Sequence, residues 1–383
     1  MNDIGKEAFD KAGRVVVKVG SNVLTRDNGL NLKVVGSISR QISRLVEDGR
    51  EVIFVSSGAM ASGLKKLGLQ KRPDQVPQRQ AVAAVGQAGL IMEYEKAFAR
   101  YQKKVAQILL TSEDLTNRMR YLNVRNAIST LLSWGVIPII NENDTVMVEE
   151  IKFGDNDHLS AMIALLLDAD LLINLTDIDG VFDKDPRVHE DARLLPSISV
   201  INREIESVAG KIPGTLGTGG MLSKIKAAKK VTTAGVPMVI ANGKTDNILL
   251  DLFQGRGEGT FFVPRKKRLA SRKCWIGFTL KPKGTVLIDD GALAAILQRG
   301  KSLLPSGIVR VEGNFSVGSP VALKKEDTDV LAVGLVNYSS SDIEKIKGLK
   351  TSQIKSRLGN KPYDEVIHRD NLTITDECEI YPD

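Results

Sequence analysis

Short apolar runs alternate with helical stretches through the first 263 residues, and this alternation constrains the fold more than any other feature. Runs such as Arg14–Val19 are continuous and β-branched, as expected of strands that are buried on both faces. A β-α-β-α order favours a mostly parallel sheet with helices on both faces. We therefore predict an α/β fold, a three-layer α-β-α sandwich. Its predicted strands are Arg14–Val19, Glu51–Ser56, Lys104–Thr111, Val136–Ile140, Ala169–Leu175, Gly235–Ile240 and Thr260–Val263.

The pattern of the sequence changes after residue 264. Six basic residues and no acidic residue lie between Arg265 and Lys273, which is typical of a solvated linker. Short strands and turns follow, so we predict a small mixed β domain. The predicted organisation is a first domain at 1–264, a basic linker at 265–273 and a second domain with a C-terminal tail at 274–383.

Composition narrows the functional class. The chain has 383 residues, of which 42% are hydrophobic and 26% charged, as in ordinary globular proteins. No apolar run is long enough for a membrane helix, and the N-terminus has no apolar signal core. Two isolated cysteines form no metal or redox motif and fit a reducing compartment. We expect a cytoplasmic protein that does not act at a membrane.

The net charge of +7 raises the alternative of an RNA-binding protein. The excess comes from the linker, because residues 274–383 carry 14 basic and 15 acidic residues. Such a domain lacks the electrostatic footprint of nucleic-acid binding. We therefore expect no RNA-binding function.

Two polar clusters lie at the two ends of the stretch 141–157, N-E-N-D at 141–144 and G-D-N-D at 154–157. The first follows a buried strand, where open α/β sheets bind ligands. The second precedes a helix, whose first N–H groups lack backbone partners. Amides and carboxylates at these places suit a small ligand with an ammonium and a carboxylate. In the alternative interpretation the clusters are turns, and Asp157 is only an N-cap.

Two lysines indicate an anionic ligand. Lys18 interrupts an apolar strand near its end, which is costly unless its ammonium faces a charge such as phosphate. The alternative is a side chain that reaches solvent at the rim. Lys224 follows the glycine-rich stretch 214–220, whose backbone can wrap an anion, although the spacing is not that of a Walker motif. The alternative for this stretch is a flexible loop.

Six motifs occur in one order and together resemble the glutamate 5-kinases of the amino acid kinase superfamily. They are V-K-V-G-S at 17–21, S-S-G-A at 56–59, I-N-E-N-D at 140–144, F-G-D-N-D at 153–157, L-T-D at 175–177 and G-T-G-G-M-L-S-K at 217–224. The C-terminal region resembles a PUA domain through D-D-G-A at 289–292, G-K-S-L-L-P-S-G at 300–307, V-E-G-N-F at 311–315 and L-V-N-Y-S-S at 335–340.

The resemblance implies the amino acid kinase fold and phosphorylation of the L-glutamate side chain by ATP with Mg²⁺, the first step of proline synthesis. The attacking group is already a carboxylate, so no general base is needed. By position, the implied catalytic residues are Lys18, Lys224 and Asp157, with Asp157 holding the two lysines. The implied glutamate-binding residues are Ser57, Asp144, Asn156 and, in the same loop, Asp155. The implied ATP-binding residues are Lys18, Thr176, Asp177, Thr218, Gly219, Gly220, Met221, Leu222, Ser223 and Lys224; no protein metal ligand is implied.

The resemblance also implies inhibition by proline, a homo-oligomer and, as an option, transfer of the labile product to glutamate-5-semialdehyde dehydrogenase. The nearest alternatives are an acetylglutamate kinase and an aspartokinase. The two Asn/Asp motifs and the PUA-like region argue against both of them.

Overall fold

The computed structural model describes residues 3–26, 29–146, 156–210, 220–266, 268–326 and 328–374. Packing divides the chain into two compact units, Met1–Lys266 and Lys267–Asp383. Within the described ranges, no helix is both long and apolar enough to cross a membrane.

The first unit is built on a mostly parallel sheet, as predicted. Its strands are β1 (Arg14–Val19), β2 (Thr25–Arg26), β3 (Gly29–Leu30), β4 (Glu51–Ser56), β5 (Lys104–Leu110), β6 (Val136–Glu142), β7 (Leu171–Thr176), β8 (Ser197–Ile198), β9 (Met238–Asn242) and β10 (Thr260–Phe262). The main sheet has the order β5-β6-β4-β1-β7-β9-β10-β8, and β2 and β3 form a separate hairpin. The strands from β5 to β9 in this order are parallel, whereas β10 runs antiparallel to β9.

Helices cover both faces of this sheet. They are α1 (Asp3–Lys11), α2 (Ser21–Leu24), α3 (Leu32–Glu47), α4 (Ala59–Leu67), α5 (Val76–Ala99), α6 (Ser112–Thr116), α7 (Arg118–Ser133), α8 (Asn156–Leu166), α9 (Arg203–Gly210), α10 (Met221–Thr233) and α11 (Ile248–Phe253). Val15, Val17 and Val19 of β1 join one core with α1, α3, α5 and α11. Alternate strand residues face opposite sides, so Lys18 points to the other face, where α8 packs on β1, β4 and β7.

Helix α8 lies at the centre of that second face. Its residues from Leu159 to Leu166 are all buried, so apolar side chains surround the helix rather than forming one stripe. It packs against α10 as well as against the sheet. Only the first turn, which begins with Asn156 and Asp157, carries acidic or amide groups. The helix is thereby fixed with its polar end at the carboxyl edge of the strands.

Close helix packing positions the turn after β4. A Cβ atom added at Gly63 of α4 would lie 1.9 Å from the Val82 carbonyl oxygen. One added at Gly86 of α5 would lie 1.8 Å from the Ala59 carbonyl oxygen. Only glycine permits this approach of α4 to α5. The Ser57–Gly58 turn, in which Gly58 has φ 105°, is therefore held between β4 and a tightly packed helix pair.

The seven predicted strands are all present, and five of them differ from the prediction by one to three residues at an end. Strands β1 and β4 have the predicted bounds. Strand β6 continues past the predicted end at Ile140, because Asn141 and Glu142 still pair with β5. Helix α8 begins at Asn156, within the second polar cluster rather than after it, since the polar residues supply its first turn.

The second unit has a small mixed sheet, as predicted. Its strands are β11 (Thr285–Ile288), β12 (Ile308–Glu312), β13 (Pro320–Lys324), β14 (Ala332–Leu335) and β15 (Leu372–Ile374), in the order β12-β11-β13-β14-β15. Its helices are α12 (Ser271–Thr279), α13 (Asp290–Leu297), α14 (Ser340–Ile346) and α15 (Ile354–Leu358). Helix α12 begins at Ser271, inside the stretch predicted as linker. The side chains of its central turn, Cys274, Trp275 and Ile276, are buried, and this burial stabilises the helix.

Candidate active site

The candidate site lies at the carboxyl edge of the central strands. The chain passes from β1 to β4 on one side and later returns to β7 on the other side of β1. The strand order therefore reverses at β1, the place where open α/β sheets form a ligand crevice. Polar side chains follow or end each of these central strands.

We call the first group the charged centre: Lys18, Asp157, Asn174, Ser223 and Lys224. The Lys18 ammonium and the Asn174 amide both donate to Oδ1 of Asp157, the amide at 2.7 Å. The Ser223 hydroxyl and the Lys224 ammonium donate to Oδ2, at 2.6 Å and 3.1 Å. Each carboxylate oxygen thus receives one lysine and one neutral donor.

The ionic groups of the charged centre are buried. Asp157 is 0% exposed, Lys18 4% and Lys224 6%. Burial by itself raises the pKa of the Asp157 carboxyl, but the Lys18 and Lys224 charges, with hydrogen bonds from Lys18 and Ser223, outweigh it and hold that pKa well below its usual range. Asp157 is therefore a carboxylate, and the centre carries a net positive charge.

Different elements bring these side chains together. Lys18 and Asn174 are paired neighbours on the parallel strands β1 and β7. Asp157 lies in the first turn of α8, where the helix dipole favours a negative charge. Ser223 and Lys224 lie in the first turn of α10. The same dipole disfavours Lys224 there, so its contact with Asp157 offsets a local cost.

We call the second group the amide cluster: Ser57, Asn141 and Asn156. The Asn156 amide nitrogen lies 2.8 Å from Ser57 Oγ, 3.0 Å from Asn141 Oδ1 and 3.0 Å from the Ser56 carbonyl oxygen. Behind it, the hydroxyls of Ser56 and Tyr94 are 2.8 Å apart. This cluster is neutral, and Ser57 and Asn156 remain partly exposed.

The residues predicted to bind ATP at the end of β7 form a third group. Thr176 ends β7, and its hydroxyl donates to Asp177 Oδ1 at 3.2 Å. Asn22 donates to Asp177 Oδ2 at 3.0 Å, and the Gly20 N–H donates to the Leu175 carbonyl at 2.9 Å. These bonds join the turn after β1 to the end of β7.

Gly220 precedes α10, and no described side chain caps that helix start. Its first backbone N–H groups therefore suit an anion. The predicted Met221, Leu222, Ser223 and Lys224 form its first turn. Asp144 opens a 3-10 turn, Asp144–Val146, just after β6. The predicted Asp155, Thr218 and Gly219 lie outside the described residues.

Comparison with known proteins identifies the family. A model of the amino acid kinase family matches residues 13–242, and a PUA domain model matches residues 284–358. A glutamate 5-kinase of Syntrophus aciditrophicus (strain SB) is 51% identical, over 98% of this chain and 97% of its own length. One of Thermoanaerobacter sp. (strain X514) is 52% identical, over 96% of this chain and 99% of its own length. The chain belongs to the glutamate 5-kinases. The resemblance read from the motifs is confirmed, and the chain is an amino acid kinase family enzyme.

Two residues of these clusters were given no individual role in the sequence-based prediction. Asn141 ends the apolar part of β6 and accepts from Asn156. Asn174 interrupts the apolar sequence of β7 and binds Asp157. Asn141 belongs to the N-E-N-D cluster that was predicted to bind a small ligand, although no separate role was assigned to it. For Asn174 the available signal was a single amide inside an otherwise apolar buried strand. It is the same signal that made Lys18 a candidate.

Proposed function

We propose that the chain transfers the γ-phosphoryl group of ATP to the side-chain carboxylate of L-glutamate and releases L-glutamyl 5-phosphate and ADP. The observation that carries this proposal is the charged centre, in which Lys18 and Lys224 converge on Asp157 at the strand-order reversal. The glutamate 5-kinases among the relatives give the acceptor.

The chemistry requires positioning and charge more than covalent participation. The glutamate carboxylate attacks the γ-phosphorus, and ADP leaves from the opposite side. Negative charge on the transferred oxygens is then stabilised by fixed positive groups. We assign that part to Lys18 on the side of β1 and to Lys224 on the side of α10. Asp157 holds both ammonium groups, and the free carboxylate of the substrate needs no general base.

The second substrate enters as Mg²⁺ with ATP. Asp157 accepts hydrogen bonds from Lys18, Asn174, Ser223 and Lys224 among the described residues, so its carboxylate is engaged by donors and does not suit a metal. Mg²⁺ commonly binds phosphate oxygens and keeps several waters. We therefore assign the ion to the phosphates of ATP and give it no protein ligand in the charged centre.

The remaining predicted residues divide between the two substrates. We assign Ser57, Asn156, Asp144 and Asp155 to glutamate, whose ammonium and α-carboxylate call for both acceptors and donors. The partly exposed amide cluster supports this assignment. We assign ATP to the uncapped start of α10 and to the end of β7. The proposed ATP-binding residues are Lys18, Thr176, Asp177, Thr218, Gly219, Gly220, Met221, Leu222, Ser223 and Lys224.

We also propose the wider properties that the family suggests. These are a role in proline synthesis, inhibition by proline, a homo-oligomer, a cytoplasmic location and optional transfer of the product to glutamate-5-semialdehyde dehydrogenase. The predicted division into 1–264, 265–273 and 274–383 remains a proposal as well.

The test is hydroxamate formation from Mg²⁺, ATP and hydroxylamine with L-glutamate, N-acetylglutamate or aspartate as acceptor. Of the three acceptors, we expect only L-glutamate to give hydroxamate, with one ADP formed for each hydroxamate. Added proline should suppress this reaction. Turnover with another acceptor, but not with glutamate, would overturn the substrate. Turnover that proline leaves unchanged would overturn only the inhibition.

A further inference from the structure

Asn174 is an amide in the middle of a buried strand. The sequence of β7 is L-L-I-N-L-T, and Asn174 is 0% exposed. An amide buried at such a place is costly unless its polar atoms are bonded. Packing alone gives no reason for this choice, because an apolar residue would continue the strand.

Only one end of this amide is bonded. The nitrogen donates to Asp157 Oδ1 at 2.7 Å. The carbonyl oxygen, Oδ1, is buried and has no hydrogen-bond partner among the described residues. Turning the amide over would place this oxygen against the Asp157 carboxylate, so the observed orientation is fixed. An unbonded buried acceptor is costly, so packing alone does not account for an amide at this place.

The bonded end controls how Lys18 meets Asp157. Lys18 and Asn174 are paired on adjacent strands and donate to the same carboxylate oxygen. Because Asn174 occupies one acceptor direction of that oxygen, Lys18 is restricted to the other. Ser223 has the equivalent relation to Lys224 on the second oxygen.

We propose that Asn174 is a positioning residue for phosphoryl transfer, a neutral donor that sets the direction of the Lys18 ammonium through Asp157. This proposal rests on the proposed function. The neutrality of the side chain is essential to it. A second carboxylate at this position would keep the shape of the amide but would compete with Asp157 for Lys18.

Two variants test the proposal against a matched control. Asn174→Leu removes the donor at similar volume, and we expect kcat to fall about 100-fold, the scale of a small misplacement of a catalytic group. The KM for glutamate should change less than about threefold, because the amide cluster is untouched. Ile173→Val, one residue earlier on β7, tests mere disturbance of the strand and should leave kcat near that of the wild type.

Asn174→Asp gives a signature that a structural role would not produce. Two neighbouring carboxyl groups share a proton with a raised apparent pKa. Once protonated, the introduced group is again a neutral donor, so kcat of this variant should rise as pH falls from about 8 to 6. We do not expect this rise in the wild type.

The outcomes separate the two proposals. If the wild type forms no hydroxamate, the proposed function itself is wrong. If the wild type is active and Asn174→Leu keeps its kcat, the positioning role is wrong. If the leucine variant does not fold, Asn174→Asp decides: a pH profile with the wild-type shape contradicts the proposal, and a rise toward acid supports it.

Discussion

Asn156 and Asp157 are adjacent in the first turn of α8, yet they belong to two different clusters. Asp157 joins the charged centre on β1, β7 and α10, where the lysines and the carboxylate are at most 6% exposed. Asn156 joins the amide cluster beside β4 and β6, which is neutral and partly exposed. One helical turn therefore connects a buried ionic site with a partly exposed neutral site.

The difference shows that one edge of a sheet can carry two sites with different chemistry. Charges are effective where water is excluded, but each buried charge must be paired and hydrogen-bonded. Neutral amides suit recognition of a substrate that brings charges of both signs. Changes in the charged centre should therefore lower kcat and stability, whereas changes in the amide cluster should mainly raise the KM for glutamate.

Asp157→Asn should have the largest effect. It leaves Lys18 and Lys224 without the carboxylate that pairs them, so kcat should fall about 100- to 1,000-fold, the scale for losing one preorganised electrostatic group. Removing one partner of a buried ion pair typically costs about 3–5 kcal/mol of folding free energy. Hydroxamate kinetics and urea unfolding measure the two effects. An unchanged kcat would remove Asp157 from the catalytic assignment.

Asp157 also links stability to pH. Its folded pKa lies below its unfolded value of about 3.9, so its contribution is present above that pH and is lost as pH falls through the folded pKa. Below about pH 4, the free energy of unfolding of the wild type should therefore fall more steeply with decreasing pH than that of Asp157→Asn. An equal pH dependence in the two proteins would mean that the lysines do not lower the pKa of Asp157 in the folded state.

Lys224→Met should rank next. It removes one of the two positive charges assigned to the transferred phosphoryl group but retains the Lys18 contact with Asp157. We expect kcat to fall about 100-fold. Lys229 is a matched control on the same helix, because it pairs with Glu206 at 2.9 Å outside the charged centre. Lys229→Met with an equal loss would show that the effect comes from disturbance of α10.

Much of this comparison could be predicted from the sequence. The strand ends beside Lys18 and Ser57, and the presence of a helix next to Asp157, follow from apolar periodicity and its interruptions. Asn174 was missed because its importance depends on strand order: β7 is far from β1 along the chain but pairs with it in the sheet. Asn141 lay in the predicted N-E-N-D cluster but was given no role of its own, because it looked like the end of a strand, while pairing with β5 keeps it within β6.

Asn156→Ala should have a smaller effect of a different kind. It removes the amide that contacts Ser57 and Asn141, and the lost hydrogen bonding is worth about 1–1.5 kcal/mol. We expect the KM for glutamate to rise about tenfold, with kcat within about threefold of the wild type and the KM for ATP unchanged. A loss confined to kcat would place Asn156 in the charged centre instead.

His158→Asn should leave catalysis unchanged, although the residue follows Asp157 directly. Burial and then the neighbouring Lys230 lower the pKa of His158 to about 3. The unfolded chain, with a His pKa of about 6.5, binds a proton that the folded chain does not, so stability is lost as pH falls below 6.5. The slope is up to about 1.4 kcal/mol per pH unit, and the variant should lack it.

Unfolding curves from pH 7 to pH 4.5 measure that slope, with hydroxamate kinetics at pH 7.5 as the control for catalysis. A variant with the wild-type slope would show that His158 does not titrate differently on folding. A large fall in kcat at pH 7.5 would extend the charged centre from Asp157 to a second residue of α8.

The most direct test of the division is a side-by-side measurement of kcat and glutamate KM for Asn156→Ala and Asp157→Asn in the hydroxamate assay. We expect the first variant to change KM with little loss of kcat, and the second to lose kcat with little change in KM. If both variants show the same pattern, with equal changes in kcat and in the glutamate KM, the two clusters act as one site and the division is wrong.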